Sequence, residues 1–212
     1  MDELRLFTAV SPPQEIAEKI AGVQRRFESA VGPHVLRTIR RENYHVTLQF
    51  LGNTPPSLVE PVVEAMQAAA SRSSGPIELQ LTAPGAFPTS RRPRTLWVGL
   101  RDTGGRLTAL EEDLRERLVR LGIELDTRRF RPHVTIAYVR KQATSGDRAR
   151  VAAAIEHAQQ GGERGEGPSP RRSAAGSTPD APAFTVTDLL LVRSVTGPGG
   201  SEYSHLHAVR LE

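Results

Sequence analysis

His45-Val46-Thr47-Leu48 and His133-Val134-Thr135-Ile136 are one phrase written twice. Both copies are β-branched and apolar enough to form strands, in which successive side chains point to opposite faces. That parity places His45, Thr47 and Gln49 on one face and Val46, Leu48 and Phe50 on the other. In the second copy His133, Thr135 and Ala137 share a face, opposite Val134, Ile136 and Tyr138. An apolar face packs against a core; a face carrying an imidazole and a hydroxyl needs another reason. Two such strands facing each other would gather two histidines and two threonines around one point.

Outward from the first copy, Leu4 to Val10 reads as a strand. Ser11-Pro12-Pro13-Gln14 then opens a helix as a capping box, with Pro12 at the first helical position. Ile16, Ile20, Val23 and Phe27 carry the helical period to Gly32. A weak strand over 36–41 leads to the first histidine strand, which ends at Gly52. A second helix spans 57–71, with Pro61 awkward near its start. Strands follow at 77–81 and 95–100, separated by the turn-rich 83–88. Leu107, Leu110, Leu114, Leu118 and Leu121 mark the clearest helix, closed by Gly122, with Glu111–Arg115 and Glu116–Arg120 on a solvated face. After the second histidine strand come a short helix over 147–157 and two strands over 186–195 and 203–211. Residues 159–182 are glycine, proline, serine, arginine and alanine with almost nothing apolar, and read as a disordered insertion. Each histidine strand is preceded by a strand and a helix and followed by a helix and more strands. The fold class is therefore α+β in one domain over 1–212: two pseudo-symmetric lobes, each an antiparallel sheet with helices on its outer face, enclosing a central cleft.

The whole chain narrows the function classes. Its 212 residues can bury a real core, and 38% apolar with 25% charged residues is a globular composition. No apolar run reaches the roughly 18 residues of a membrane span. Met1-Asp2-Glu3-Leu4-Arg5 does not read as a secretory leader, so a cytoplasmic location is expected. Without cysteine there is neither a disulfide nor a thiolate metal site. Lys19 and Lys141 are lysines, and every other one of the 28 basic residues is arginine, a bidentate partner for phosphate oxygens. Arg37, Arg40 and Arg41 precede the first motif, Arg128, Arg129 and Arg131 the second, and Arg91, Arg92 and Arg94 fill a turn. Such clusters suit an RNA backbone entering the cleft, although biased composition explains any single arginine equally well.

Histidine is the side chain that gives or takes a proton near neutral pH. Two imidazoles across a cleft make a general acid and a general base for in-line displacement at phosphorus, and each threonine can donate to a non-bridging oxygen. The sequence offers no good metal cage and asks for no cofactor. His205 and His207, which share a strand face by parity, read as solvent-facing residues rather than ligands. Trp97, in an apolar strand, reads as core.

The two His-x-Thr-hydrophobic motifs resemble the signature of the two-histidine (2H) phosphoesterase superfamily. Asn43-Tyr44-His45-Val46-Thr47-Leu48-Gln49-Phe50-Leu51-Gly52, Pro93-Arg94-Thr95-Leu96-Trp97-Val98-Gly99 and Phe130-Arg131-Pro132-His133 narrow the resemblance to the RNA 2′,3′-cyclic phosphodiesterase, or 2′-5′ RNA ligase, family. The resemblance implies metal-independent opening of a 2′,3′-cyclic phosphate at an RNA end, or on a small cyclic nucleotide, to a 2′-phosphate, with reversible 2′-5′ RNA ligation as an accompanying reaction. It makes His45 the proton donor and His133 the acceptor, with Thr47 and Thr135 on the phosphate. Arg40, Arg94, Arg131, Tyr138 and Arg140 are candidate substrate contacts of a chain expected to act as a monomer. In the family an arginine commonly sits five residues after the second histidine; here that position is Tyr138, with Arg140 two residues on. The alternative in another class is a non-catalytic RNA-binding module that uses the same basic cleft.

Overall fold

The computed structural model describes residues 3–161, 181–197 and 200–212. In chain order the elements are β1 (Leu4–Val10), α1 (Gln14–Val31), β2 (Leu36–Thr38), β3 (Val46–Thr54), α2 (Val59–Ala70), β4 (Ile77–Thr89), β5 (Arg92–Arg101), α3 (Arg106–Arg120), β6 (His133–Val139), α4 (Ser145–Gly161), β7 (Ala183–Val186), β8 (Asp188–Gly197) and β9 (Gly200–Arg210). Short 3-10 turns at Arg41–Asn43 and Pro56–Leu58 precede β3 and α2. The strands form two antiparallel sheets, ordered β3-β1-β8-β9 and β2-β6-β5-β4-β7. Each sheet holds one histidine strand, as the α+β bilobal reading expects.

The lobes are interleaved rather than consecutive. Helices α1 and α4 pack together on the sheet of the second motif, although α1 precedes the first motif in the chain. Helices α2 and α3 pack on the sheet of the first motif, although α3 immediately precedes the second. The expected single strand over 186–195 is two strands. At Thr187 the chain leaves β7, an edge of one sheet, and enters β8 in the middle of the other. The backbone thereby ties both lobes together where it crosses.

Several local expectations need correction. Helix α1 starts at Gln14 behind Pro13, with no side-chain cap, so the Ser11/Gln14 capping box does not form. A reciprocal box closes the start of α4 instead: Thr144 N–H donates to Asp147 Oδ2 (2.8 Å) and Asp147 N–H to Thr144 Oγ1 (3.1 Å). Pro61 falls in the first turn of α2, where its missing N–H has no intrahelical partner to lose. The turn-rich 83–88 lies inside the long strand β4. Of the insertion read as disordered, Gln159–Gly161 complete α4, and the carbonyls of Ala181 and Pro182 accept from Gln80 Nε2 and Leu81 N–H. The rest of 159–182 lies outside the described residues.

Leu107, Leu110, Leu114 and Leu118 of α3 are buried as their period predicts, each burial contributing about 2 kcal/mol. Glu111, expected on the solvated face, is 2% exposed. Its carboxylate accepts from Gln49 Nε2 of β3 and from Arg115 (2.6 Å), whose guanidinium also donates to the Asp126 carbonyl (2.6 Å). That chain joins the first histidine strand to the loop that enters the second. Buried Gln24 of α1 does equivalent work in the other lobe, donating to the carbonyls of Ile39 (2.8 Å) and Ile136 (2.7 Å). No helix among the described residues is long and apolar enough to cross a membrane.

Candidate active site

The simple alternation expected of both histidine strands fails at the same place in each. In β3, Thr47 pairs with Ala9 but Gln49 pairs with Thr8, so Leu48 is an extra residue in the ladder. In β6, Thr135 pairs with Trp97 but Ala137 pairs with Leu96, so Ile136 is extra. One inserted residue reverses the parity of everything beyond it. Gln49 and Ala137 therefore turn into the core, at 2% and 0% exposure. Phe50 and Tyr138, each five residues past its histidine, turn out of it. An arginine from the neighbouring strand lies over each ring: Arg5 over Phe50 and Arg37 over Tyr138, both 4.7 Å from the ring centroid.

The histidines are held in matching ways. Nδ1–H of His45 donates to the Asn43 carbonyl (2.8 Å), and that of His133 to the Arg131 carbonyl (2.6 Å). A carbonyl accepts only, so each neutral ring carries its proton on Nδ1 and leaves Nε2 as the free lone pair. Two aromatic rings orient each imidazole. Phe7 and Tyr203 lie 4.7 and 5.2 Å from His45; Phe87 and Trp97 lie 5.0 and 6.0 Å from His133. Trp97 is thus half-buried beside a histidine on the cleft side, rather than in the core as expected. Gly85, its cross-strand partner, makes room: a Cβ there would sit 2.4 Å from the indole.

Burial lowers both histidine pKa values. That of His45 is pushed down to about 4, chiefly by desolvation and further by the charges of His133 and His205, against the bond to Asn43. That of His133 is lowered by desolvation, against the bond to Arg131. Under His45 a small apolar cluster of Phe7, Ala9, Leu190 and Val192, with Tyr203 against it, floors the cleft. Thr47 and Thr135 are half-buried, and neither hydroxyl has a hydrogen-bond partner among the described residues.

A cavity of about 800 Å³ includes Thr47, Phe50, Phe87, Arg94, Arg131 and His133 in its lining. Tyr138 and Arg140 line a neighbouring cavity that shares Arg94. Arg140 Nε donates to the Leu36 carbonyl (3.1 Å). Arg40 is exposed and lines neither cavity, while Arg41 pairs with Glu18. His205 and His207 do not share a face, because Val192 pairs with His205 and Leu191 with His207 across another irregularity. Val192 belongs to the cleft floor and Leu191 to the main core, so only His205 turns toward the cleft. Both histidines are exposed, as expected of solvent-facing residues, and what sequence parity missed is Tyr203, packed against His45.

Residues 12–197 match the 2′-5′ RNA ligase superfamily profile. The chain belongs to that family. It is 41% identical over 99 residues to a Geobacillus stearothermophilus protein named RNA 2′,3′-cyclic phosphodiesterase, covering 47% of this chain and 31% of the relative, so it spans under a third of that relative's length. Proteins of the same name from Archaeoglobus fulgidus and Escherichia coli are 29% and 31% identical over 66% and 62% of this chain, and 74% and 70% of theirs. A Thermus thermophilus structure matches with a TM-score of 0.71 at 23% identity, over 98% of this chain and 97% of its own. Escherichia coli LigT complexed with 3′-AMP matches with a TM-score of 0.67 at 24% identity, over 99% and 98%. These likenesses agree with the bilobal fold.

Proposed function

We propose that this family member hydrolyses 2′,3′-cyclic phosphate ends of RNA to 2′-phosphomonoesters by histidine acid–base catalysis. The observation that carries the reading is the matched pair of imidazoles, each with Nδ1 tied to a carbonyl and Nε2 free, beside an unpartnered threonine hydroxyl. His133 Nε2 takes the proton of the attacking water as its oxygen bonds to phosphorus. The bond from phosphorus to O3′ breaks, and protonated His45 delivers its Nε2 proton to that oxygen. Thr47 and Thr135 donate to the non-bridging oxygens, on which charge accumulates. Ligation of a 2′-5′ bond puts an RNA 5′-hydroxyl in place of the water and keeps the two roles, and cleavage of that bond back to the cyclic phosphate reverses them.

The lowered histidine pKa values do not oppose this scheme. A phosphate anion between the rings favours an imidazolium and raises both values. Both half-sites come from one chain, so a monomer suffices, and an RNA substrate fits a cytoplasmic site of action. The test is incubation with an RNA ending in a 2′,3′-cyclic phosphate, followed by identification of the product. A 2′-phosphate end is expected; a 3′-phosphate end, or no turnover, would overturn the reading.

A further inference from the structure

The second cavity, about 940 Å³, lies where the ends of β2 and β6 meet the turn between β4 and β5. It is continuous with the catalytic cavity through Arg94 and Thr95, which line both. Arg91 and Arg92 reach it from the turn, Arg37 from β2, Arg140 and Lys141 from the end of β6, and Arg148 from α4. Among the described residues, no carboxylate lines it and none of these cations forms an ion pair. The catalytic cavity is different: its Arg115 and Arg128 are neutralised by Glu111 and Asp126.

Arginine-rich composition explains scattered cations but not seven uncompensated ones on a single wall. Their mutual repulsion opposes folding, and a polyanion in the groove would relieve it. The groove also has a defined inner end. Tyr138 lines it with Arg37 over its ring, 4.7 Å from the centroid, and lies on the strand that also carries Thr135. Tyr138 stands three residues beyond Thr135, about 10 Å along the strand. A chain with its terminal phosphate at the threonines can thus run outward past Tyr138 and Arg37 into the groove.

We propose that this groove holds the phosphodiester backbone of the RNA leading to the reacting end, so that the protein prefers an oligonucleotide to a cyclic mononucleotide. Arginine and lysine contacts to phosphates carry no sequence information, so the preference is for length rather than sequence. The proposal rests on the functional reading above, but its binding arm is independent of that reading.

The experiment compares wild type with R91E/R92E, which alters two exposed residues of the turn. A second variant, R72E/R120E, makes the same change of formal charge on α3 and just beyond α2. One readout is kcat/KM for a single-stranded oligonucleotide ending in 2′,3′-cyclic phosphate, divided by that for a 2′,3′-cyclic mononucleotide. The other is the affinity, as a function of salt, for the same oligonucleotide ending in a 3′-hydroxyl. R91E/R92E is expected to lower the ratio and the affinity about tenfold and to flatten the salt dependence by roughly one phosphate contact or more, whereas R72E/R120E keeps both near wild type. Unchanged affinity in R91E/R92E, or an equal loss in R72E/R120E, overturns the groove. Absence of turnover by wild type would sink the catalytic reading, and the affinity arm would still decide the groove.

Discussion

The two half-sites share a plan and differ in depth. Each places His Nδ1 on the carbonyl two residues upstream, inserts an extra residue after the threonine, and turns an aromatic residue out beneath an arginine. His45, however, sits over an apolar floor, with two further imidazoles adding charge repulsion, and its pKa falls to about 4. His133 is lowered by desolvation alone, beside a loop rich in arginine. The shared plan presents two imidazoles alike, and only His45 carries the added repulsion of neighbouring imidazoles.

The most damaging way to break the pair is to remove either ring. His45→Ala and His133→Ala should each lower kcat by roughly 10²–10⁴ on a 2′,3′-cyclic mononucleotide. The double variant should be little worse than the weaker single, because the rings act as a unit. Losses that multiply would make them independent contributors. Next come the threonines. Thr47→Val or Thr135→Val removes a donor while conserving shape, and about a hundredfold loss in kcat is expected for each. A loss at one threonine only would show that phosphate is gripped from one lobe.

Stability sharpens the comparison further. Each lobe has one buried glutamine, and Gln24→Ala or Gln49→Ala leaves buried polar partners short of a bond. Chemical denaturation should show about 1–3 kcal/mol lost in either variant; no loss from Gln49→Ala would mean that Glu111 is satisfied by Arg115 alone. The depth of His45 has its own signature. Its folded pKa lies below its unfolded value, so the folded state binds fewer protons between about pH 4 and 6.5, and stability rises with pH across that window. Acidification from pH 6.5 to 4 should cost about 2 kcal/mol more in wild type than in His45→Gln. Equal slopes would place His45 in water. The smallest effect is that of Tyr203→Ala, which wets the ring and should raise the His45 pKa by about half a unit in an NMR titration.

Much of this was legible in the sequence, for identifiable reasons. The helical period of α3 and the capping logic at its end depend on neighbours within a few residues, and they held. The two histidines and two threonines were legible because strand parity is reliable over three residues. It failed at Leu48 and Ile136, where a register shift set by the partner strand reversed it, so Phe50 and Tyr138 were assigned to the wrong face. A similar shift separated His205 from His207. Glu111 looked solvated because its burial comes from β3, which is distant in sequence. Interleaving of the lobes was hidden as well, since element order in the chain does not state which sheet a helix covers.

The central claim, that two half-buried histidines trade a proton through the substrate, is tested most directly by kcat/KM against pH for a 2′,3′-cyclic mononucleotide. Because this parameter reports the free protein, both histidine pKa values should appear in it. The account predicts a bell with its maximum between about pH 4 and 6.5, and loss of one limb in each of His45→Ala and His133→Ala. A profile flat across that window, or an intact bell in either variant, would contradict it.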